Sequence, residues 1–306
     1  MVADNVICKP CTAGSFEHFY RWPILEKWNP WLDEVELKLY LQTDPKGFLV
    51  ASVPDQEGGD TAVSIIAAIR YGQGGWIGLY VTLPEHRCRG YGSFIFKQAL
   101  AHLGKADSIG LDAVPDKVEH YKKFGFTTMS WECQRRRSGS VESFLASHKR
   151  ALGVVNIAET PPDQLLDFDL RCSGFTRPEF FSNWIKLHSD SNERFGVAIV
   201  ENGQIRAFGC ARPTTDGYQV GPLYASSRQQ ALAILVELAY RVSSSPHARN
   251  STQTLSVSVC QANTEASSLF DELGWGKVFS VYRMWKGKEP KVNVDEIYGV
   301  LASEVG

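Results

Sequence analysis

The amino-acid sequence predicts an α/β protein built from two similar halves, each a mixed, mostly antiparallel β-sheet flanked by helices. Short apolar runs rich in β-branched residues alternate with amphipathic runs along the whole chain. Asn202-Gly203 separates two apolar runs, which is a strong signal for a β-hairpin. The order of the runs also repeats, because Leu79-Tyr80 in the first half is matched by Leu223-Tyr224 in the second. Together these observations indicate a duplicated fold.

The length and composition of the chain agree with two ordinary globular domains. Its 306 residues suffice for two domains of about 150 residues each, so we place the boundary near residue 150 and define the halves as 1–150 and 151–306. The chain is 43% hydrophobic and 22% charged, and its formal net charge is −2. No long basic run and no long apolar run is present, so neither nucleic acid nor a membrane is an expected partner.

Cysteine usage and the first residues indicate a cytoplasmic protein. The seven cysteines are dispersed, which favours reduced thiols, and residues 1–10 lack the apolar core of a signal peptide. Cys8 and Cys11 have the spacing of a metal-ligating pair, but no second pair of this spacing completes a site. We therefore expect no metal.

The pattern of the first half predicts strands and helices in a defined order. Prolines divide the stretch from 21 to 41 into two helical pieces, because proline interrupts helical hydrogen bonding. Predicted strands lie at 6–11, 48–53, 62–70, 76–82, 108–113 and 127–132. One helix is predicted to begin near Ser15, and two helical pieces lie within 21–41. A further helix ends at Gly104, and a short one lies next to Tyr121. Arg135-Arg136-Arg137 follows the last strand and is predicted to be a solvated strand end.

The most specific pattern of the chain lies at 74–104. An apolar strand is followed by a turn, by Arg87-Cys88-Arg89-Gly90-Tyr91-Gly92, and by an amphipathic helix. The first N–H groups of a helix have no intrahelical partner and carry the positive end of the helix dipole, so this turn suits a phosphate. Arg87 and Arg89 add positive charge beside it. The alternative is a strand-to-helix turn whose glycines only fit the bend.

The arrangement Arg-x-x-Gly-x-Gly after a strand resembles the pyrophosphate loop of the GNAT superfamily of acyl-CoA-dependent N-acyltransferases. Residues 120–126, in which Tyr121 precedes Gly125 by four positions, are also similar to that family. With two such halves, the chain as a whole resembles the YitH-like tandem group. The resemblance implies that acetyl-CoA is the co-substrate. It also implies that the following residues bind it, the first three through main-chain contacts to pantetheine: Leu79, Tyr80, Val81, Arg87, Cys88, Arg89, Gly90, Tyr91, Gly92 and Ser93.

The resemblance further implies a direct transfer, in which an amine attacks the thioester carbonyl and the CoA thiolate leaves. Tyr121 would protonate the thiolate as the general acid. The alternative for Tyr121 is a packed helical tyrosine whose hydroxyl bonds to a backbone carbonyl. Asp112, at the end of its strand, is the candidate base, and water is the alternative.

The stretch between the first two helices overhangs the acceptor site in the family. In this chain the stretch is rich in tryptophan and acidic residues, namely Trp22, Trp28, Trp31, Asp33, Glu34 and Glu36. The aromatic rings would form a wall and the carboxylates would attract an ammonium group. The alternative is that the tryptophans belong to the core and the acids face water.

The second half departs from the family motifs where they matter for chemistry. Its predicted strands lie at 153–158, 195–200, 205–211, 221–225 and 255–260, and its predicted helices at 161–172, 177–188 and 228–242. The repeat ends with Asn263, Ala266, Phe270, Gly274 and Trp275. Ser226-Ser227-Arg228-Gln229 stands in place of the phosphate loop, and Phe270 stands where the first half has Tyr121. We therefore expect a degenerate copy with an acceptor-site or structural role.

The sequence thus predicts an N-acetyltransferase that uses acetyl-CoA and a primary amine, the amine belonging to a small molecule. One alternative is a non-catalytic acyl-CoA-binding module or sensor. Another is a protein lysine acetyltransferase. Retention of Tyr121 and of both arginines favours the enzyme over the module. The acceptor, the acyl chain length and the oligomeric state are not specified by the sequence.

Overall fold

The computed structural model describes residues 5–26, 28, 33–55, 58–189, 191–246 and 253–306. Pro30 and Trp31, which the sequence analysis assigned to the stretch between the first two helices, lie outside the described residues.

The first half follows the predicted order of elements. Its strands are β1 (Ile7–Pro10), β2 (Phe48–Pro54), β3 (Asp60–Tyr71), β4 (Gly74–Thr82), β5 (Ser108–Ala113) and β6 (Thr128–Ser140). Its helices are α1 (His18–Leu25), α2 (Glu34–Thr43), α3 (Tyr91–Leu103), α4 (Val118–Lys122) and α5 (Val141–Ser147). The carboxylate of Asp33 caps α2 by accepting a hydrogen bond from the Glu36 N–H. Gly104 ends α3, as the sequence predicted.

The second half repeats this order and adds two strands that the sequence analysis did not predict. Its strands are β7 (Val154–Asn156), β8 (Phe195–Glu201), β9 (Gln204–Thr214), β10 (Gly217–Ala225), β11 (Thr254–Cys260), β12 (Phe279–Gly287) and β13 (Ile297–Gly299). Its helices are α6 (Pro162–Ser173), α7 (Pro178–Ser189), α8 (Arg228–Ser243) and α9 (Thr264–Glu272). The two added strands are β12 and β13.

The two halves share one continuous sheet through exchanged strands. The strand order is β1-β2-β3-β4-β5-β12-β6-β11-β10-β9-β8-β7, with β13 paired to β10. Strand β12 of the second half therefore lies between β5 and β6 of the first half, antiparallel to both. Strand β6 in turn pairs with β11 of the second half. The mixed α/β class is confirmed, and each half completes the sheet of the other.

The long β6 corrects the prediction for the arginine cluster. Arg135 and Arg137 are buried rather than solvated. The guanidinium group of Arg137 donates hydrogen bonds to Gln134 Oε1 and to the Trp275 carbonyl, and pairs with Asp271 at 2.6 Å. Because β6 lies inside the sheet, its arginines require partners, and for Arg137 the charged partner, Asp271, comes from a distant part of the chain.

One face of the sheet carries a core that spans both halves. Helices α1, α2, α6 and α7 cover this face and contribute Phe19, Tyr40, Phe168, Phe180 and Trp184 to a single apolar cluster. The other face is covered by α3 and α4 over one further cluster, and by α8 and α9 of the second half together with α5 over another. We call the first of these the shared face and the second the α3 face.

Buried ion pairs also join the halves across the shared face. The fully buried carboxylate of Glu36, on α2, accepts a hydrogen bond of 2.7 Å from Arg194 and lies 3.2 Å from Arg212 on β9. Breaking a buried pair by removing one partner costs about 3–5 kcal/mol, because a charge is left uncompensated.

None of the described helices is both long and apolar enough to cross a lipid bilayer.

The exchange of β6 and β12 predicts that residues 1–150 do not fold alone. Truncation after residue 150 removes the two neighbours of β6 and both arginines that compensate Glu36. We expect the truncated chain to lack a cooperative urea transition by circular dichroism. The full chain should unfold in a single transition that is the same by circular dichroism and tryptophan fluorescence. A cooperative transition in the truncated chain would show that the exchanged strands are dispensable.

Candidate functional site

The centre of the site is a gap between β4 and β5. The two strands pair in parallel from Gly74 with Ser108 as far as Ile77 with Leu111. Beyond these residues β4 continues to Thr82 along β3, whereas β5 continues to Ala113 along β12. Among the described strands, none therefore pairs with β4 from Gly78 onward on the side that faces β5.

A bulge turns the main chain of β4 at the gap. The register with β3 shifts between Ile65 and Ala67, opposite 78–81. Leu79, within this bulge, has a φ of 48°, which is uncommon for a residue with a side chain. Leu79, Tyr80 and Val81, predicted to contact pantetheine, thus lie on the strand edge that is left unpaired. Their binding role stays a prediction.

The N-terminus of α3 is open to an anion. Gly90 caps the helix with a φ of 86° and has no side chain to accept from the first turn. The first main-chain hydrogen bond runs from Phe94 N to the Gly90 carbonyl, so the N–H groups of Tyr91, Gly92 and Ser93 precede the intrahelical ladder. Gly92 has a second function, because a Cβ there would collide with the hydroxyl oxygen of Tyr80.

The two arginines of the loop differ in their surroundings. The Arg87 guanidinium donates a 2.9 Å hydrogen bond to the Thr82 carbonyl and pairs with Glu26 at the end of α1. Arg89 is exposed and has no hydrogen-bond or ion-pair partner within the described part of the chain. Cys88, between them, is an exposed free thiol. Arg89 is therefore the cation that is free to bind a phosphate, and Arg87 would have to share its charge with Glu26.

Tyr121 lies beside the gap on the α3 face. Its ring contacts Phe96 of α3 at a centroid distance of 5.7 Å and Tyr80 of β4 at 6.5 Å. Burial raises the pKa of Tyr121 above its usual value, and burial raises the pKa of Tyr80 to about 12. Among the described residues the Tyr121 hydroxyl forms no hydrogen bond, so the alternative of a hydroxyl on a backbone carbonyl is not found. A protonated phenol can serve as a proton donor there.

Asp112 is engaged on both of its oxygens. Arg283 of β12 donates to Oδ1 at 3.0 Å and to Oδ2 at 3.2 Å, and the Ser303 hydroxyl donates to Oδ2 at 2.9 Å. The side chains of Asp112 and Arg283 are both nearly inaccessible to solvent. This geometry fits an ion pair that ties β5 to β12 and does not favour a base. The predicted base role of Asp112 thus gains no support from its surroundings.

The acidic and aromatic residues near α2 have mixed environments. Asp33 and Glu36 pair with Arg194 from the second half, and Glu34 pairs with Lys38 on the surface. These carboxylates are therefore engaged by cations of the chain itself, and their predicted attraction of an ammonium group gains no support from these contacts. Trp22 is in the core, whereas Leu25 and Trp28 are 68% and 45% exposed and flank Glu26, the partner of Arg87. The predicted aromatic wall is thus reduced to Trp28 among the described residues.

The corresponding gap of the second half is filled. Strands β10 and β11 pair in parallel only from Tyr218 to Val220. Beyond these residues β13 inserts, pairing with β10 at Leu223 and Tyr224, and the Val300 N–H bonds to the Ser258 carbonyl that follows on β11. The N-terminus of α8 is also closed, because the Ser227 hydroxyl accepts a hydrogen bond from Gln230 N. The unpaired strand edge and the uncapped helix of the first half therefore both lack an open counterpart in the second.

Two family models match the chain. Residues 14–126 match the model described as the acetyltransferase (GNAT) family, and residues 165–299 match one described as an acetyltransferase (GNAT) domain. The matches leave out residues 1–13, 127–164 and 300–306.

Individual proteins resemble the chain over nearly its full length. The holothin acyltransferase of Pseudoalteromonas sp. (strain SANK 73390) is 25% identical over 303 residues, which are 97% of this chain and 94% of that protein. A crystal structure of an acetyltransferase from Pyrococcus horikoshii superposes with a TM-score of 0.75 at 23% identity, covering 100% of this chain and 98% of that one. The N-myristoyltransferase of Saccharomyces cerevisiae, with bound myristoyl-CoA, superposes with a TM-score of 0.63 at 12% identity. The superposition covers 99% of this chain and 90% of that one.

The exposed Arg89 predicts a specific effect of charge reversal on CoA binding. We expect Arg89→Glu to weaken CoA about 10- to 100-fold, the usual worth of a charge-assisted hydrogen bond, and to leave pantetheine binding unchanged. Lys105→Glu is the matched control, because Lys105 is an exposed cation just beyond the opposite end of α3. Calorimetric titration with both ligands gives the answer. Equal losses for CoA and pantetheine would mean that Arg89 acts on folding rather than on phosphate.

Proposed function

The chain belongs to the GNAT superfamily and carries two GNAT domains in tandem, and from that premise we propose that it is an acetyl-CoA-dependent N-acetyltransferase. The proposed acceptor is the primary amine of a small molecule. The proposed acyl-CoA site is the gap of the first half, and the second half supports that site without binding a CoA of its own.

The observation that carries the proposal is that one half has both an open gap between its strands and an uncapped helix N-terminus. The unpaired edge of β4 from Gly78 onward offers main-chain donors and acceptors to an extended, amide-containing chain such as pantetheine. The N–H groups at the start of α3 and the free Arg89 suit the pyrophosphate at its end. The residues present therefore fit an acyl-CoA in the first half, and the filled gap of the second half does not.

The side chains around the gap have separate tasks in the proposed reaction. Tyr91, Gly92 and Ser93 hold the pyrophosphate through their N–H groups. The edge of β4 orients the thioester so that an amine can reach its carbonyl carbon. A carbon–nitrogen bond forms, the nitrogen gives up a proton to a base, and the carbon–sulfur bond breaks. The Tyr121 hydroxyl gives its proton to the departing sulfur, and burial favours the neutral phenol until that moment.

The proposal also specifies the transferred group, acetyl, and the kind of acceptor, a small molecule. An acyltransferase named for holothin is similar to this chain over nearly its whole length, which favours a small-molecule acceptor. The myristoyl-CoA bound to the yeast N-myristoyltransferase belongs to a protein of the same fold, so longer acyl chains belong in the test.

An acceptor screen tests the proposal directly. Purified full-length protein is mixed with acetyl-CoA and a panel of amines that includes small primary amines, amino acids and lysine-containing peptides, and thiol release is recorded. We expect release with at least one small amine, and slower release when myristoyl-CoA replaces acetyl-CoA. Release with lysine peptides alone would favour a protein lysine acetyltransferase. Tight acetyl-CoA binding without release for any amine would favour the non-catalytic module.

Tyr121→Phe tests the proton donor. Within the described part of the chain the Tyr121 hydroxyl forms no hydrogen bond that the change would remove, and Phe270 already occupies the matching place, so the free energy of unfolding should fall by less than about 1 kcal/mol. The affinity for acetyl-CoA should hold, because other groups bind the phosphates and pantetheine. The kcat should drop by about a hundredfold or more, since the proton is needed only as the thiolate forms.

Tyr240→Phe is the control for Tyr121→Phe, because Tyr240 lies on α8 of the second half. It should leave kcat and acetyl-CoA affinity unchanged. If the folded Tyr121→Phe protein kept full turnover, Tyr121 would have no part in proton transfer.

A further inference from the structure

The last residues of the described chain bridge the two edges of the gap on the shared face. The Ser303 hydroxyl donates to Asp112, which lies on β5 just beyond the last paired residue. The main chain of Glu304 lies against Gly78, the first unpaired residue of β4, so closely that a side chain at 78 would collide with the Glu304 carbonyl. Residues 303 and 304 thus span the gap at the point where it opens.

Both halves hold this segment in place. The Trp76 indole donates a 2.7 Å hydrogen bond to the Ser303 carbonyl, and the Tyr71 hydroxyl donates one of 3.0 Å to the Val305 carbonyl. From the second half, Arg212 donates to the Leu301 carbonyl at 3.3 Å. The position of Glu304 is therefore fixed by packing and hydrogen bonds rather than left to a free tail.

Glu304 differs from the other carboxylates of the shared face near the gap. Asp112 is engaged by Arg283 and Ser303, and Glu36 by Arg194 and Arg212. The Oε2 atom of Glu304 is buried and has no hydrogen-bond partner within the described residues, although the residue as a whole is half-buried. The Glu304 carboxylate interacts electrostatically with two groups. These are the Arg212 guanidinium and the Tyr40 hydroxyl of α2. An ionised carboxylate with a free oxygen can accept a proton.

The two faces of the sheet give the two substrates different approaches. The open N-terminus of α3 and Tyr121 lie on the α3 face. A CoA bound there passes its thioester into the gap, so a second substrate reaches the carbonyl from the shared face, where residues 303 and 304 lie. Acid and base would then stand on opposite sides of the reacting carbon.

We propose that Glu304 is the general base that takes the proton from the acceptor amine. This inference rests on the proposed function. The acceptor's ammonium group first gives one proton to the Glu304 carboxylate, and the neutral nitrogen then attacks the thioester carbon. The carbon–sulfur bond breaks, and the thiolate receives the Tyr121 proton. The nitrogen releases a second proton as the amide forms, and that proton restores the Tyr121 phenol through water, so that one carbon–nitrogen bond replaces one carbon–sulfur bond and every proton is accounted for.

Two amines of similar size and different basicity test this role. Ethylamine is mostly protonated near neutral pH and requires a base, whereas 2,2,2-trifluoroethylamine is mostly unprotonated and requires one much less. With saturating acetyl-CoA, we expect Glu304→Gln to lower kcat for ethylamine by about a hundredfold or more, and for trifluoroethylamine by much less. Glu304→Asp keeps the carboxylate and should retain an intermediate rate. Acetyl-CoA affinity, measured by calorimetry, should be unchanged in both variants.

Glu142→Gln is the matched control, because Glu142 is an exposed carboxylate on α5, outside the gap. It should change neither rate. Equal losses for the two amines in Glu304→Gln, or no loss for either, would overturn the base role. Loss of acetyl-CoA affinity in both Glu304 variants would assign Glu304 to the architecture of the gap instead. If the unaltered protein released no thiol with any amine, the proposed function itself would fail, and the inference with it.

Discussion

The separation of β4 from β5 beyond Ile77 and Leu111 is the constraint on which the rest of the site depends. Each strand can leave the other only because it has a second partner, β3 for β4 and β12 for β5. The bulge at Leu79 turns the freed edge of β4, and the Asp112–Arg283 ion pair fastens β5 to β12. Unpaired main-chain groups are costly where water is excluded, so an edge of this kind is stable when water or a ligand supplies the partners.

The second half contributes to the structure of the first half, although its own gap is filled. Its own gap is filled by β13 and its helix α8 is capped by Ser227. Yet it donates β12 to the first half, supplies Arg194 and Arg212 to the buried Glu36, and carries the segment that ends at the open gap. The second half therefore keeps a structural contribution to the first half without an open gap of its own.

The sequence predicted those elements whose formation depends on residues close together in the chain. The strand, glycine turn and helix at 74–104 were predicted from apolar spacing and from the open helix N-terminus, and the structure has them. Strand β12 and the second part of β6 were missed, because the arginines of β6 look solvated in sequence. Their partners, such as Asp271 for Arg137 and Ser303 for Arg135, are brought near only by the fold.

The candidate site shows the same division. Tyr121 and the loop arginines follow from a motif, but the difference between a paired Arg87 and a free Arg89 depends on Glu26, whose position no spacing predicts. The Asp112 assignment rested on its place at a strand end, and sequence could not reveal Arg283 beside it. Glu304 belongs to none of the sequence motifs described above. Only the path of the chain after β13 brings it to Gly78.

The central claim is that one gap of the duplicated sheet is open to acyl-CoA and the other is closed. Hydrogen–deuterium exchange of the full-length protein with and without acetyl-CoA measures this claim most directly, because amides that bind a ligand exchange more slowly. The account predicts that acetyl-CoA slows exchange in peptides covering 79–93 and leaves the matching stretch at 223–230 unchanged. Equal slowing at 223–230, or no slowing at 79–93, would contradict it.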